Sequence, residues 1–190
     1  MILPIYVYGH PVLRNDNAPV TPDYPQLAEL IQNMKETMKA SDGIGIAAPQ
    51  VGRNLQLVYI DVSPLADDLP ELKDRRMVLI NPEVTVDTSV EPTNREEGCL
   101  SVPGINESVK RYEKIHLRWT DENWQEHEED IEGYLARVVQ HECDHLKATL
   151  FVDKIAPIRK QLIKAKLANM ARGKVNCHYR VVTAPIKNKR

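Results

Sequence analysis

Residues 140–146 read Gln140-His141-Glu142-Cys143-Asp144-His145-Leu146. The stretch contains His-Glu-x-x-His, and its surroundings predict a helix over residues 132–146. Residues four apart on a helix lie one above the other on the same face. His141 and His145 can therefore aim two imidazoles at one metal ion. Glu142 follows His141 by about 100° around the helix, within reach of a water on that ion. A metal with an open coordination position beside a carboxylate base is the machinery of a hydrolase.

Two imidazoles need a third protein ligand, and the chain has three cysteines, Cys99, Cys143 and Cys177. Cys143 lies two residues past His141, about 200° away on the helix, and faces away from the ion. Cys177 sits in a basic tail without ligand spacing. Cys99 stands in Glu96-Glu97-Gly98-Cys99-Leu100-Ser101, where Gly98 permits close backbone approach beside the thiol. One thiolate and two imidazoles leave a fourth position open, the pattern of a catalytic site. A third unusual stretch is Gly43-Ile44-Gly45-Ile46-Ala47-Ala48-Pro49-Gln50-Val51-Gly52. Its small residues let backbone approach backbone or ligand. It is not a phosphate loop, because the Gly-Lys-Ser/Thr ending is missing.

Taken together, the three segments resemble the peptide deformylase family. The family's Gly-x-Gly-(aliphatic)-Ala-Ala-Pro-Gln motif stands at Gly43 to Gln50. Its Glu-Gly-Cys-Leu-Ser stands at Glu97 to Ser101, and its Gln-His-Glu-x-Asp-His-Leu at Gln140 to Leu146. Order and spacing also fit, over about residues 1–155. Two departures are small. Ile46 replaces a commoner Leu, and Ala148 stands where the family usually has Gly, a change a helical backbone would tolerate.

The resemblance implies removal of the N-terminal formyl group from nascent polypeptides, with release of formate. It implies one divalent ion per chain held by Cys99, His141 and His145. That ligand set would ordinarily point to Zn²⁺, whereas the resemblance implies Fe²⁺ in the cell, with zinc able to occupy the site at lower activity. Glu142 would take a proton in the attack and deliver it to the departing amine. The Gln50 side-chain amide and the Leu100 backbone N–H would donate to the developing oxyanion. Gly45, lacking a Cβ, would let an extended peptide pair alongside as an added strand. Ile44, Val138 and Tyr134 would line the methionine pocket, the last two lying three and seven residues before His141 on one helix face. Asp144 would support the site from behind, paired with Arg111.

Two rival readings are weaker. A zinc endopeptidase would supply a further downstream ligand, but the next histidine, His178, lacks that spacing. A non-catalytic binding protein would have no need of both Glu142 and Gln50.

The length suits one domain with a sizeable core. Three cysteines without framework spacing point to a reducing compartment. No apolar run reaches about 18 residues, and the N-terminus does not read as a signal or transit peptide, so a cytoplasmic protein without membrane contact is expected. The net charge of −2 hides an asymmetry: from Lys154 onward there are eleven Lys or Arg and no Asp or Glu. Such a segment could dock on ribosomal RNA near the nascent chain. The oligomeric state is not legible.

Spacings of three and four through Leu27, Leu30, Ile31, Met34 and Met38 predict a first helix. Strands are predicted over 56–62, 77–80 and 83–90, then over 108–119 and 125–131 joined at Asp121-Glu122-Asn123. A last helix is predicted over 157–170, with Ile155, Ile158, Leu162, Ala165 and Met170 along its apolar face. Strands clustered between helices, without βαβ alternation, give an α+β fold. In this reading antiparallel sheets pack around a central metal-binding helix, with an N-terminal and a C-terminal helix. Residues 1–155 form the catalytic part, and 156–190 a basic helix and tail of the same domain.

Overall fold

The computed structural model describes residues 1–185 of the 190; Lys187, Lys189 and Arg190 of the basic segment lie outside them. Among the described residues three α-helices and nine strands follow in the order β1 (Ile5–Tyr6), α1 (Leu27–Ala40), β2 (Gly45–Ala47), β3 (Leu57–Asp61), β4 (Arg76–Val86), β5 (Thr93–Glu97), β6 (Glu107–Arg111), β7 (Lys114–Thr120), β8 (Glu126–Glu132), α2 (Gly133–Leu146), α3 (Pro157–Ala171) and β9 (Val181–Val182). The fold is α+β. A five-stranded antiparallel sheet runs β2-β3-β4-β7-β8, a two-stranded antiparallel ribbon pairs β5 with β6, and β1 pairs with β9 in parallel.

The large sheet is covered on both faces, and β3 shows how. Val58 and Ile60 join a core with Leu135, Ala136, Val139 and Cys143 of α2. Leu57 and Tyr59, pointing the other way as strand alternation demands, join a core with Leu30, Ile31, Met34 and Met38 of α1. Two buried faces explain why this strand reads as a continuous apolar run. The opposite face of α2 carries Arg137, His141 and Asp144, spaced by four and three residues, and turns towards the β5–β6 ribbon.

The strands depart from the sequence reading in three places. Residues 77–80 and 83–86 belong to one strand, β4, which carries a register shift between Ile80 and Glu83, and the expected strand over 83–90 stops at Val86. Asn81 takes a left-handed φ of 51° there, and its amide pairs with both backbone groups of Val20. Pro82 brings no N–H to the ladder. The stretch 108–119 is two strands, not one, because the chain leaves the ribbon after Arg111 and enters the large sheet at Lys114. Strands β2 and β5 escape the sequence reading: β2 has only three residues, and β5 is Thr-Asn-Arg-Glu-Glu, without an apolar alternation.

The helix α2 ends in a Schellman turn. Thr149 N–H bonds to Asp144 O at 2.9 Å and Ala148 N–H to His145 O at 3.1 Å. Ala148 sits at φ 52°. The helical backbone that would tolerate alanine here is not formed: the turn is left-handed, which is why glycine is the natural residue there. A left-handed L-residue costs about 1–2 kcal/mol, partly offset by the extra freedom glycine has when unfolded. Ala148→Gly should stabilise the protein by about 0.5–1 kcal/mol and raise its melting temperature by about 1–4 °C. An unchanged or lower melting temperature would show that this turn is not strained.

The apolar face of α3 also differs from the expectation. Ile163, Leu167 and Met170, spaced by four and three, are buried with Val7, Val102 and Phe151, whereas Ile158 and Leu162 are 69% and 65% exposed. Arg159, one residue past Ile158, pairs with the buried Glu107 carboxylate, a contact compatible with the rotation that buries Ile163, Leu167 and Met170. Among the described residues no helix is long and apolar enough to cross a membrane.

Candidate active site

The helix α2 carries His141 and His145 to a point facing the loop after β5, which supplies Cys99. Ligand-type atoms of these three residues lie within 4.8 Å of one another. Cys99 Sγ is 3.3 Å from His145 Nε2. His141 Nδ1 bonds to Glu97 Oε2 at 2.9 Å, which leaves Nε2 as the free ring nitrogen. Burial, with His141 beside it, holds His145 well below its usual pKa, so its ring is neutral and has a lone pair to give. One sulfur and two ring nitrogens converging on one point are a donor set that fits a divalent transition metal.

Glu142 is fully enclosed. Burial pushes its carboxyl up to about 7, and its Oε2 has no hydrogen-bond partner among the described residues. Its near neighbour is Gly45, where any Cβ would collide with the carboxylate. Glycine is thus needed at this point in β2 so that strand and helix can close on each other. Strand β2 is the edge of the large sheet, paired only with β3 among the described residues.

Gln50 follows β2 in a single 3-10 turn and is 1% exposed. Its Oε1 accepts from Ala47 N–H at 2.8 Å, which fixes the amide so that Nε2 points to Cys99 Sγ at 3.5 Å and Ser101 Oγ at 3.2 Å. The Leu100 N–H donates to no backbone acceptor among the described residues.

Behind the ligands lies a buried charge network that the sequence reading only partly foresaw. Glu97 receives both Arg111 Nε and Nη2 at 2.8 Å, Arg137 Nη1 at 2.9 Å, and His141. Arg111 Nη1 also reaches Asp144 at 2.5 Å, and Lys154 lies 3.0 Å from the other Asp144 oxygen. Arg111 and Asp144 are thus in direct contact. Glu97, Arg137 and Ser101 were not singled out as site residues. Glu97 and Ser101 could have been flagged by their places two residues either side of Cys99; nothing in the sequence marks Arg137.

A cavity of about 480 Å³ opens in front of these groups. Ile44, Gly45, Gln50, Leu100, Tyr134 and Val138 all line it, with Cys99, His141 and Glu142. Asp144 and Arg111 stand outside it. Residues 176–179 also line the cavity, although the sequence reading set the tail apart from the catalytic part. Cys143 faces the core, where burial pushes its thiol up to about 12.

The chain matches the family model for polypeptide deformylase over residues 2–161. It is 47% identical to a peptide deformylase of Salinibacter ruber over 187 residues, covering 96% of this chain and 95% of that one. It is 46% identical to one of Christiangramia forsetii, covering 95% of each. Among solved structures, the peptide deformylase of Thermus thermophilus superposes with a TM-score of 0.78 at 38% identity, covering 92% of this chain and 98% of the other. A peptide deformylase from Synechococcus elongatus in complex with actinonin superposes at 0.77 and 37% identity, covering 92% of each. The convergence of a Cys-His-His cluster, a buried glutamate and an oriented glutamine beside an open sheet edge has its counterpart in these matches: the chain belongs to the polypeptide deformylase family.

Proposed function

We propose that Cys99, His141 and His145 hold one divalent ion and that Glu142, Gln50 and Leu100 carry the chemistry around it. The protein is a hydrolase that removes the N-terminal formyl group from nascent polypeptides and releases formate. The observation that carries the assignment of roles is the meeting of three ligand-type atoms, an enclosed carboxylate and an oriented amide in one cavity.

A bound divalent ion supplies a Lewis acid and a lowered pKa for water. Glu142, with its carboxyl near neutrality, accepts the proton of the attacking water and delivers it to the departing amine nitrogen. Gln50 Nε2 and the Leu100 N–H donate to the formyl oxygen as it gains charge, with the Gln50 amide held beside the cluster by the bond from Ala47 N–H to its Oε1. The formyl-methionine enters as an extended strand beside β2 at Gly45, with its side chain against Ile44, Val138 and Tyr134. Arg111 and Asp144 brace the histidine helix from behind.

The ion in the cell is Fe²⁺, with Zn²⁺ as a less active occupant; the donor set serves both, and the family resemblance supports iron. Metal analysis and formate release from a formyl-Met peptide, with protein purified anaerobically, test the assignment. Zinc-only protein with undiminished turnover would overturn the iron reading, and absence of formate release would overturn the activity.

A cytoplasmic place of action and a ribosomal docking role for α3 belong to the same reading. The helix presents Lys160, Lys164 and Lys166 with exposed Ile158 and Leu162. Reversing the three lysines to glutamate should weaken co-sedimentation with bacterial ribosomes at low salt, because each lost phosphate contact removes about 0.7–0.9 from the salt slope. Equal binding by variant and wild type would eliminate the docking role.

A further inference from the structure

Residues 176–179 lie beyond the 2–161 span of the family match, yet all four line the catalytic cavity. They are held in place from several sides. Tyr179 Oη donates to the Leu100 carbonyl at 2.8 Å, so the tail is tied to the same short segment that follows Cys99. Just beyond, Ile5 N–H bonds to Arg180 O at 2.9 Å and Val7 N–H to Val182 O at 3.1 Å, flanking the parallel pairing of β9 with β1. Residues 180–182 are thereby stitched to the N-terminal strand, and they anchor residues 176–179 beside the cavity.

The segment also reaches the opposite wall. His178 Nε2 is 3.3 Å from Asp42 Oδ2. Asp42 lies just before Gly43 and Ile44 and lines the cavity with them. The ligand cluster is at the enclosed end, where His145 is 2% exposed. Asn176, His178 and Asp42 are exposed and mark the mouth, while Cys177 and Tyr179 are half-buried. A peptide whose formyl group sits at the enclosed end must send its later residues out past this rim.

We propose that residues 176–179 are a specificity-determining wall of the substrate cleft, contacting the peptide side chains that follow the formyl-methionine. This rests on the deformylase reading above and extends it to residues outside the family motifs. The wall offers a thiol, a carboxamide, an imidazole and a phenol ring, none of which is a fixed charge. Its own effect on the peptide is then one of shape, so added bulk here should penalise residues after methionine. Cys177 is the position where added bulk should be felt, because its half-buried side chain lines the cavity.

The test compares formyl-Met-Ala-Ser with formyl-methionine amide, which has nothing after the methionine. In Cys177→Trp the ratio of kcat/KM for the tripeptide to that for the amide should fall about tenfold, carried by KM. In His178→Ala, which opens the rim, the ratio should move at least threefold. A general structural defect would lower both substrates in proportion. Ratios within twofold of wild type in both variants would overturn the proposal. If the wild type releases formate from neither substrate, the deformylase reading is what fails. The wall is then judged by calorimetric titration with Met-Ala-Ser: weaker binding to Cys177→Trp supports it, and equal affinity overturns it.

Discussion

Glu142→Gln should lower turnover on a formyl-Met peptide by about 10²–10⁴-fold, the usual cost of losing a general base, while leaving metal content unchanged. The amide has the shape of the carboxylate, so the helix, the two histidines and the close approach of β2 at Gly45 are undisturbed. Proton transfer is what disappears. Stability should hold or rise, because burial already penalises the charged carboxylate and pushes its pKa up to about 7, and a neutral amide escapes that penalty. Three measurements on one preparation decide the matter: metal stoichiometry, melting temperature and formate release. Near-normal turnover in metal-loaded protein would remove Glu142 from the mechanism.

The parts of the site that reveal themselves in the sequence are those built from local spacing. His141, Glu142 and His145 lie on one helix, and the helical period alone brings the two imidazoles together. Gln50 and Cys99 are read through family motifs, each with a glycine nearby in the chain. What stays hidden is built from contacts across the fold. The partners of Glu97 come from β6 and α2, 14 to 44 residues further along, and no short-range pattern announces them. The tail is hidden for the same reason, since its place on the cavity depends on a two-residue pairing with β1 across the whole chain. The fold shows the same division. Helices α1 and α2 and the buried strand β3 follow from their periodicity and apolar runs. The short edge strand β2 and the charged strand β5 do not, because their identity comes from neighbours rather than from their own residues. The rotation of α3 escapes because two apolar stripes compete on it, and the core takes Ile163, Leu167 and Met170 rather than Ile158 and Leu162.

Glu97→Ala should be the most damaging change away from the reacting groups. The side chains of Arg111 and Arg137 are 2% and 4% exposed, and both lose their carboxylate in this variant. Removing one partner of a buried charge network typically costs about 3–5 kcal/mol. The lower end applies here, because Arg111 keeps Asp144 and Arg137 keeps the carbonyls of Val109 and Thr93. His141 Nδ1 also loses its partner, and freeing a ligating imidazole in this way weakens metal affinity by about 10–100-fold. Wild-type protein should report the same network through pH. Burial alone would raise the Glu97 pKa, but hydrogen bonds from Arg111 and His141 outweigh it and lower the value from 4.5 to about 2. A depressed carboxyl stabilises the fold at pH above its unfolded value. That contribution, about 3 kcal/mol, is complete above about pH 4.5 and is lost as pH falls towards 2. Glu97→Gln, which keeps the shape without the titration, should therefore show a shallower loss of stability over that window than wild type. Urea unfolding at pH 7 and at pH 3.5 measures both effects. A Glu97→Ala protein within about 0.5 kcal/mol of wild type at pH 7, with full metal content, would mean that the arginines are held well enough by their other partners and that His141 needs no carboxylate behind it.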